Sequence, residues 1–110
     1  MSLKIEVYED ERGFRPFEEW FDKLPAAHAA KVTTAVVRLE VGNRSGLKSV
    51  GEGVWEWRID WGPGIRIYLA FDGLRLIILL GGGTKSRQQA DIARSLQRWS
   101  DYKRRKNTKE

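Results

Sequence analysis

Residues 54–80 read VWEWRIDWGPGIRIYLAFDGLRLIILL, and the way this stretch folds back on itself decides the architecture of the chain. Trp55, Trp57, Ile59 and Trp61 alternate with Glu56, Arg58 and Asp60, the period of a strand with one buried face. Gly-Pro-Gly at 62–64 marks a turn, after which Ile65, Ile67, Leu69 and Phe71 restore the alternation. With that tripeptide as the loop, Trp61 faces Ile65, Ile59 faces Ile67, Trp57 faces Leu69 and Trp55 faces Phe71. The other face then pairs Asp60 with Arg66, Arg58 with Tyr68 and Glu56 with Ala70. A slip of one residue would mix the two sets, so the pattern fixes which side chains are core. Asp72 and Gly73 supply a two-residue hairpin turn. This puts Leu74, Leu76, Ile78 and Leu80 on the apolar face, with Arg75, Ile77 and Leu79 opposite. Strand 74–80 is almost wholly apolar and belongs inside a sheet covered on both sides.

Working outward, Leu3, Ile5 and Val7 alternate with Lys4, Glu6 and Tyr8, which predicts a first strand. Pro16 is pre-set for a first helical turn, and Phe17, Trp20, Phe21 and Leu24 follow at helical spacing. Pro25 opens a second helix with Ala29, Val32, Val36 and Leu39 on one stripe, ending near Val41 before Gly42 and Asn43. Residues 43–53, NRSGLKSVGEG, read as a loop carrying Arg44 and Lys48. Gly81 to Gly83 release the chain, Thr84 or Ser86 caps, and Ile92, Leu96 and Trp99 define a last helix. The basic stretch 103–110 reads as a frayed, flexible tail. The expectation is a single α+β domain over 1–110, in the order β-α-α-β-β-β-α. Its antiparallel sheet has about four strands, with two N-terminal helices on one face and a C-terminal helix.

Several classes of chemistry are excluded by composition. The 110 residues are 41% hydrophobic and 32% charged, enough for one core and no more. A net charge of +5 and a pI near 9.7 favour polyanionic partners, nucleic acid first. Without cysteine there is no disulfide or thiolate chemistry, which fits a reducing cytoplasm, and no leader or apolar span indicates a membrane. His28 is the only histidine, so a paired-histidine nuclease cannot form within one chain. The carboxylates lack metal-ligand spacing, and GGGTKS at 81–86 lacks the spacer of a phosphate loop, so no metal or cofactor is expected. Burying the Trp55 and Trp57 rings is favourable by several kcal/mol at about 25 cal/mol per Å². Stacking on a base contributes about 1–3 kcal/mol. Those two rings therefore belong to the core, whereas Trp61, beside the turn, is expected to be partly exposed.

The hairpin WEWRIDWGPGIRIYLAF at 55–71 and the run LIILLGGGTKSRQQADIARSLQRWSDYK at 76–103 together resemble the RelE/ParE superfamily of type II toxins. The likeness is closest to its phage-derived, HigB-like addiction module killer branch, and it extends from the first strand to the last helix. It implies a translation inhibitor that cleaves mRNA in the ribosomal A site, silenced by a cognate helix-turn-helix antitoxin. By motif position Arg58 matches a strand cation, Arg66 the arginine after the turn and Lys85 or Arg87 the cations before the last helix that surround the scissile phosphate; Arg58, Arg66 and Lys85 are the expected catalytic cations, with Tyr68 of the same polar face as an aide. Lys48, Arg75, Arg87 and Trp61 are the expected substrate contacts. Such a cationic cluster stabilises charge on the pentacoordinate phosphorus during 2′-hydroxyl attack without a metal. Some RelE-like proteins carry a tyrosine or histidine where this chain has Asp91 and Ile92; Tyr68 and Tyr102 are the candidate replacements. A gyrase poison of the ParE type, or a nucleic-acid-binding module without catalysis, remains the alternative reading.

Overall fold

The computed structural model describes residues 2–108. The elements run β1 (Lys4–Val7), α1 (Pro16–Asp22), α2 (Ala26–Glu40), β2 (Leu47–Gly51), β3 (Val54–Ile59), β4 (Ile65–Asp72), β5 (Leu76–Thr84), a 3₁₀ turn (Lys85–Arg87) and α3 (Gln88–Thr108). One five-stranded sheet has the order β1-β5-β4-β3-β2. The α+β class and the two-plus-one distribution of helices are as expected from sequence, but the sheet is mixed. β1 pairs with β5 in parallel because α1 and α2 carry the chain across one face before it returns. β2 is the unexpected fifth strand, formed by LKSVG, whose Lys48, Ser49 and Gly51 hide the alternation.

The N-terminal helices cover one face. Pro16 sits at the first turn of α1, and Val32, Ala35 and Leu39 of α2 are buried against Trp57, Ile65, Ile67, Leu69, Ile77 and Leu79. On the other face α3 lays Trp99 over Val54, Tyr68, Ala70, Ile78 and Leu80. The face opposite the tryptophans is thus a second core for most of its length, and polar only at one end.

Registers differ from expectation in an instructive way. Across β3 and β4 the partners are Trp55↔Leu69, Glu56↔Tyr68, Trp57↔Ile67, Arg58↔Arg66 and Ile59↔Ile65. The loop is therefore 60–64, with Gly62 and Gly64 at φ +58° and +74°, two residues longer than Gly-Pro-Gly alone. A shift of two preserves every face while changing every partner. Between β4 and β5 the connection is Gly73 to Arg75, so Phe71 pairs with Ile77 and Leu69 with Leu79. That odd shift puts Ile77 and Leu79 on the α1/α2 side and Leu76, Ile78 and Leu80 under α3, the reverse of expectation. A strand apolar on both faces contains nothing that opposes such a flip.

Beyond Leu79 the glycines do not release the chain. A bulge leaves Leu80 without a partner, and Gly81, Gly82 and Gly83 pair with Tyr68, Ile67 and Arg66. Close approach explains them: a Cβ on Gly82 would lie 2.3 Å from the Trp20 ring, and one on Gly83 1.9 Å from Asp91 Oδ2. Thr84 precedes the 3₁₀ turn without making a side-chain cap bond. Residues 103–108, expected to fray, continue α3 as helix; positions 109 and 110 of that tail lie outside the described residues. Lys106 Nζ donates to Asp72 Oδ1 at 2.6 Å, and Arg105 Nε to Asp101 Oδ2 at 2.9 Å.

Candidate functional site

Strand alternation sends Glu56, Arg58, Arg66 and Tyr68 to the α3 side of the sheet, at the end where that helix begins. Glu56 is the hub. Its carboxylate is 1% exposed, and two neutral donors reach Oε2: the Tyr68 hydroxyl at 3.1 Å and Gln88 Nε2 at 2.8 Å. Arg58 Nη2 lies 3.5 Å from Oε1, and Arg66 Nε 3.7 Å from Oε2. One buried carboxylate thus stands between two guanidiniums, so the cluster keeps a net positive charge. Burying an ionised group costs several kcal/mol unless it is paired and hydrogen-bonded, and Glu56 is both.

Gly64 ties this cluster to the start of the last helix. Its carbonyl accepts from Arg66 Nη1 at 2.8 Å and from the Lys85 backbone N–H at 3.0 Å. The position demands glycine twice over, through φ +74° and because a Cβ would stand 2.9 Å from Arg66 Nη1. Lys85 and Arg87 follow on the 3₁₀ turn with exposed side chains. Arg87 lines a hollow of ≈ 270 Å³ with Trp20, Gly82, Gly83, Thr84 and Asp91. There Asp91 Oδ2 is buried without a hydrogen-bond partner among the described residues. Burial raises its pKa, opposed by the charges of Arg87, Arg94 and Arg98.

Of the residues anticipated from sequence, Arg58, Arg66 and Tyr68 come together on Glu56, Lys85 is tied to them through Gly64 O, and Arg87 lies two residues further on, in the hollow with Asp91. Lys48 joins them at the sheet edge, as the partner of Glu56 across β2 and β3. Arg75 does not: it lies in the β4–β5 turn, about 20 Å of strand from Arg66. Trp61 points to the opposite face, half-buried against His28 and Lys31 of α2. Burial also separates roles within the cluster. The Arg58 side chain is 40% exposed and Arg66 only 4%. Tyr68 is fully buried, and that burial, with Glu56 beside it, raises its phenol pKa, so the hydroxyl stays protonated and serves as a donor. Tyr102, the other candidate replacement, donates to Asp72 Oδ2 at 2.6 Å at the far end of the sheet. Glu56 and Gln88 were missed, because the shorter loop set Glu56 opposite Ala70. The available signal was a lone carboxylate inside the apolar run VWEWRI. Among the described residues no three His, Asp or Glu side chains converge into a metal-ligand set.

The family model for the Gp49-like phage-derived proteins (DUF891) matches residues 19–100, from α1 through most of α3. The chain belongs to this family. A protein of Haemophilus influenzae described only as uncharacterized is 46% identical over 77 residues, covering 69% of this chain and 78% of that one. Among solved structures, a mutant of the E. coli toxin RelE in the free state, with two arginines replaced by alanine, superposes with a TM-score of 0.67 at 13% identity. That match covers 89% of this chain and 98% of RelE, so this Gp49-like chain has the RelE fold. No helix among the described residues is long and apolar enough to cross a membrane.

Proposed function

We propose that this protein is the toxin of a type II toxin–antitoxin system, a cytoplasmic ribosome-dependent endoribonuclease that cleaves mRNA in the A site without a metal and is silenced by a helix-turn-helix antitoxin. The observation that carries the reading is the pairing of Arg58 and Arg66 on one buried carboxylate at the rim of a RelE-like fold, with Lys85 tied to Arg66 through the Gly64 carbonyl and Arg87 following on the same turn. Arg58 and Lys85, the accessible cations, bind the scissile phosphate. Arg66 adds positive potential from beneath the surface, where the low dielectric makes its charge count for more. As the 2′-oxygen bonds to the adjacent phosphorus, giving up its proton to solvent, and the bond to the 5′-oxygen breaks, leaving a 2′,3′-cyclic phosphate and a 5′-hydroxyl protonated from solvent, negative charge grows on the equatorial oxygens. The preformed cluster stabilises that charge with no reorganisation of its own. Tyr68 and Gln88 act through Glu56 and are positioning residues. Lys48 and Arg87 extend the phosphate-binding track to either side.

The test is cleavage of mRNA on programmed ribosomes by wild type, Arg58→Ala, Arg66→Ala and Lys85→Ala, with folding checked by circular dichroism. Each variant is expected to lose about a hundredfold or more in rate, the scale of removing one transition-state donor. Full cleavage by Arg66→Ala and Lys85→Ala would exclude this site. DNA breaks in expressing cells with mRNA left intact would instead select a gyrase poison.

A further inference from the structure

The opposite side of the sheet carries a feature that the cluster does not use. β2 stops pairing at Leu47↔Trp57, which leaves Arg58, Ile59 and Asp60 without a β2 neighbour. Beside this bare end a hollow of ≈ 300 Å³ opens towards α2, lined by Lys31, Arg38, Arg58, Asp60, Trp57 and Trp61. Lys31 and Arg38 are two turns apart on one stripe of α2, and neither lies within salt-bridge distance of a carboxylate among the described residues. No other acid lies on α2 except Glu40 in its last turn. Trp61 is held by its loop, its N–H bonded to Ile59 O at 2.9 Å and its carbonyl to Gly64 N–H at 3.2 Å. One part of its ring packs on the core, His28 meets it edge-on at 5.0 Å, and Lys31 Nζ stands 5.4 Å from its centroid.

Cations without a carboxylate partner beside a fixed aromatic ring match a nucleotide, with phosphate on the cations and base on the ring. An acidic peptide would use the cations and leave the indole without a role. We infer that this hollow is a second RNA subsite, receiving a single-stranded nucleotide next to the one cleaved, its phosphate on Lys31 and Arg38 and its base against Trp61. The inference rests on the nuclease reading above and extends it. Arg58 belongs to the Glu56 cluster and also borders this hollow, so the strand passes from the cluster around the bare end of β3 on to α2.

The experiment measures binding of a fluorescein-labelled, 2′-O-methylated hexanucleotide by anisotropy across a salt series. Lys31→Gln with Arg38→Gln should weaken binding about tenfold and reduce the salt slope by about 0.7, the loss of one single-strand phosphate contact. Arg12→Gln with Lys23→Gln removes the same charge elsewhere on the exposed surface and is expected to change affinity by less than about twofold. Trp61→Leu, with its fold verified, should cost at least about fivefold. Equal affinities for wild type and the Lys31/Arg38 variant overturn the subsite, as does an equal loss in the control pair. Ribosome cleavage by wild type, run alongside, reads the nuclease assignment separately: cleavage with unchanged oligonucleotide binding in the variants leaves the toxin and removes the subsite. Subsite-dependent binding without cleavage does the reverse.

Discussion

Replacing Glu56 by Gln removes one charge from the centre of the cluster while keeping its shape and one acceptor for Tyr68. Arg66 is then left 4% exposed without a counter-charge. Breaking a buried pair by removing one partner costs about 3–5 kcal/mol, and the retained amide oxygen argues for the lower end, about 3 kcal/mol. Arg58, 40% exposed, adds at most about 1 kcal/mol because solvent screens it. Against a total stability of about 5–15 kcal/mol for a domain of this kind, that is a large fraction. In urea, with a slope of about 2 kcal/mol per molar, the midpoint should fall by about 1.5 M with the slope unchanged. The decisive measurement is the double variant Glu56→Gln/Arg66→Met. If the penalty comes from an orphaned guanidinium, removing that guanidinium restores most of the midpoint, whereas independent losses would add. A Glu56→Gln midpoint within about 0.5 M of wild type, or a double variant no more stable than the single, would falsify the assignment of Glu56 as the electrostatic anchor.

Tyr68→Phe deletes a buried donor to Glu56 and should cost about 1–2 kcal/mol in urea melts. A rate loss of about a hundredfold with stability untouched would make the phenol a chemical participant instead. Gly83→Ala forces a Cβ into the Asp91 carboxylate and should cost about 1–3 kcal/mol, with amide shifts concentrated in the first turns of α3; shifts spread elsewhere would contradict the packing. Asp72 and Asp101 have lowered pKa values, chiefly through hydrogen bonds from Lys106 and Tyr102 to the first and from Tyr8 to the second. Their contribution is present above the ordinary carboxylate pKa and is lost as pH falls through the lowered folded values. Below about pH 4, hydrogen exchange should therefore report the C-terminal half of α3 loosening before the sheet does. Asp91 has the opposite sign: its raised pKa means that stability declines as pH rises from the ordinary carboxylate range through the folded value. Asp91→Asn should thus stabilise the protein at about pH 7 and have no such effect at about pH 3.

How much of this was legible in the sequence depended on what each segment opposes. In β3 and β4 every apolar residue facing α2 has a polar or differently sized neighbour, so the faces were readable even though the loop length was wrong by two. The error changed partners without moving Trp57 or Arg66 to another side. In β5 nothing polar resists a flip, and the three-residue turn at Gly73 to Arg75 decided the matter silently. β2 gave no signal because it is an edge strand held by backbone bonds to β3. The tail looked frayed because two of its partners, Glu11 and Asp72, lie far upstream in the chain and meet Arg104 and Lys106 only after folding. The cations of the proposed site were singled out by position, and the carboxylate beside them was not, because Glu56 acquires meaning only from the partners that the true register gives it.

That register sets Arg58 directly across from Arg66 on the same face, an arrangement of like charges that a sheet disfavours. Stability alone gives no reason for it, since replacing a buried ion pair by apolar residues of similar volume is often neutral or better. Glu56, two ladder positions away and so on the same face, neutralises one guanidinium and leaves the other charge unbalanced near Lys85. The surplus points to the rim, where Arg58 is accessible and Gly64 O draws Arg66 and Lys85 together. An incoming phosphate would supply the missing negative charge, so binding should relieve the repulsion that folding tolerates. It follows that inorganic phosphate or a short nucleic acid should raise the melting temperature of wild type by more than that of Arg58→Ala, in which less unbalanced charge remains to be relieved.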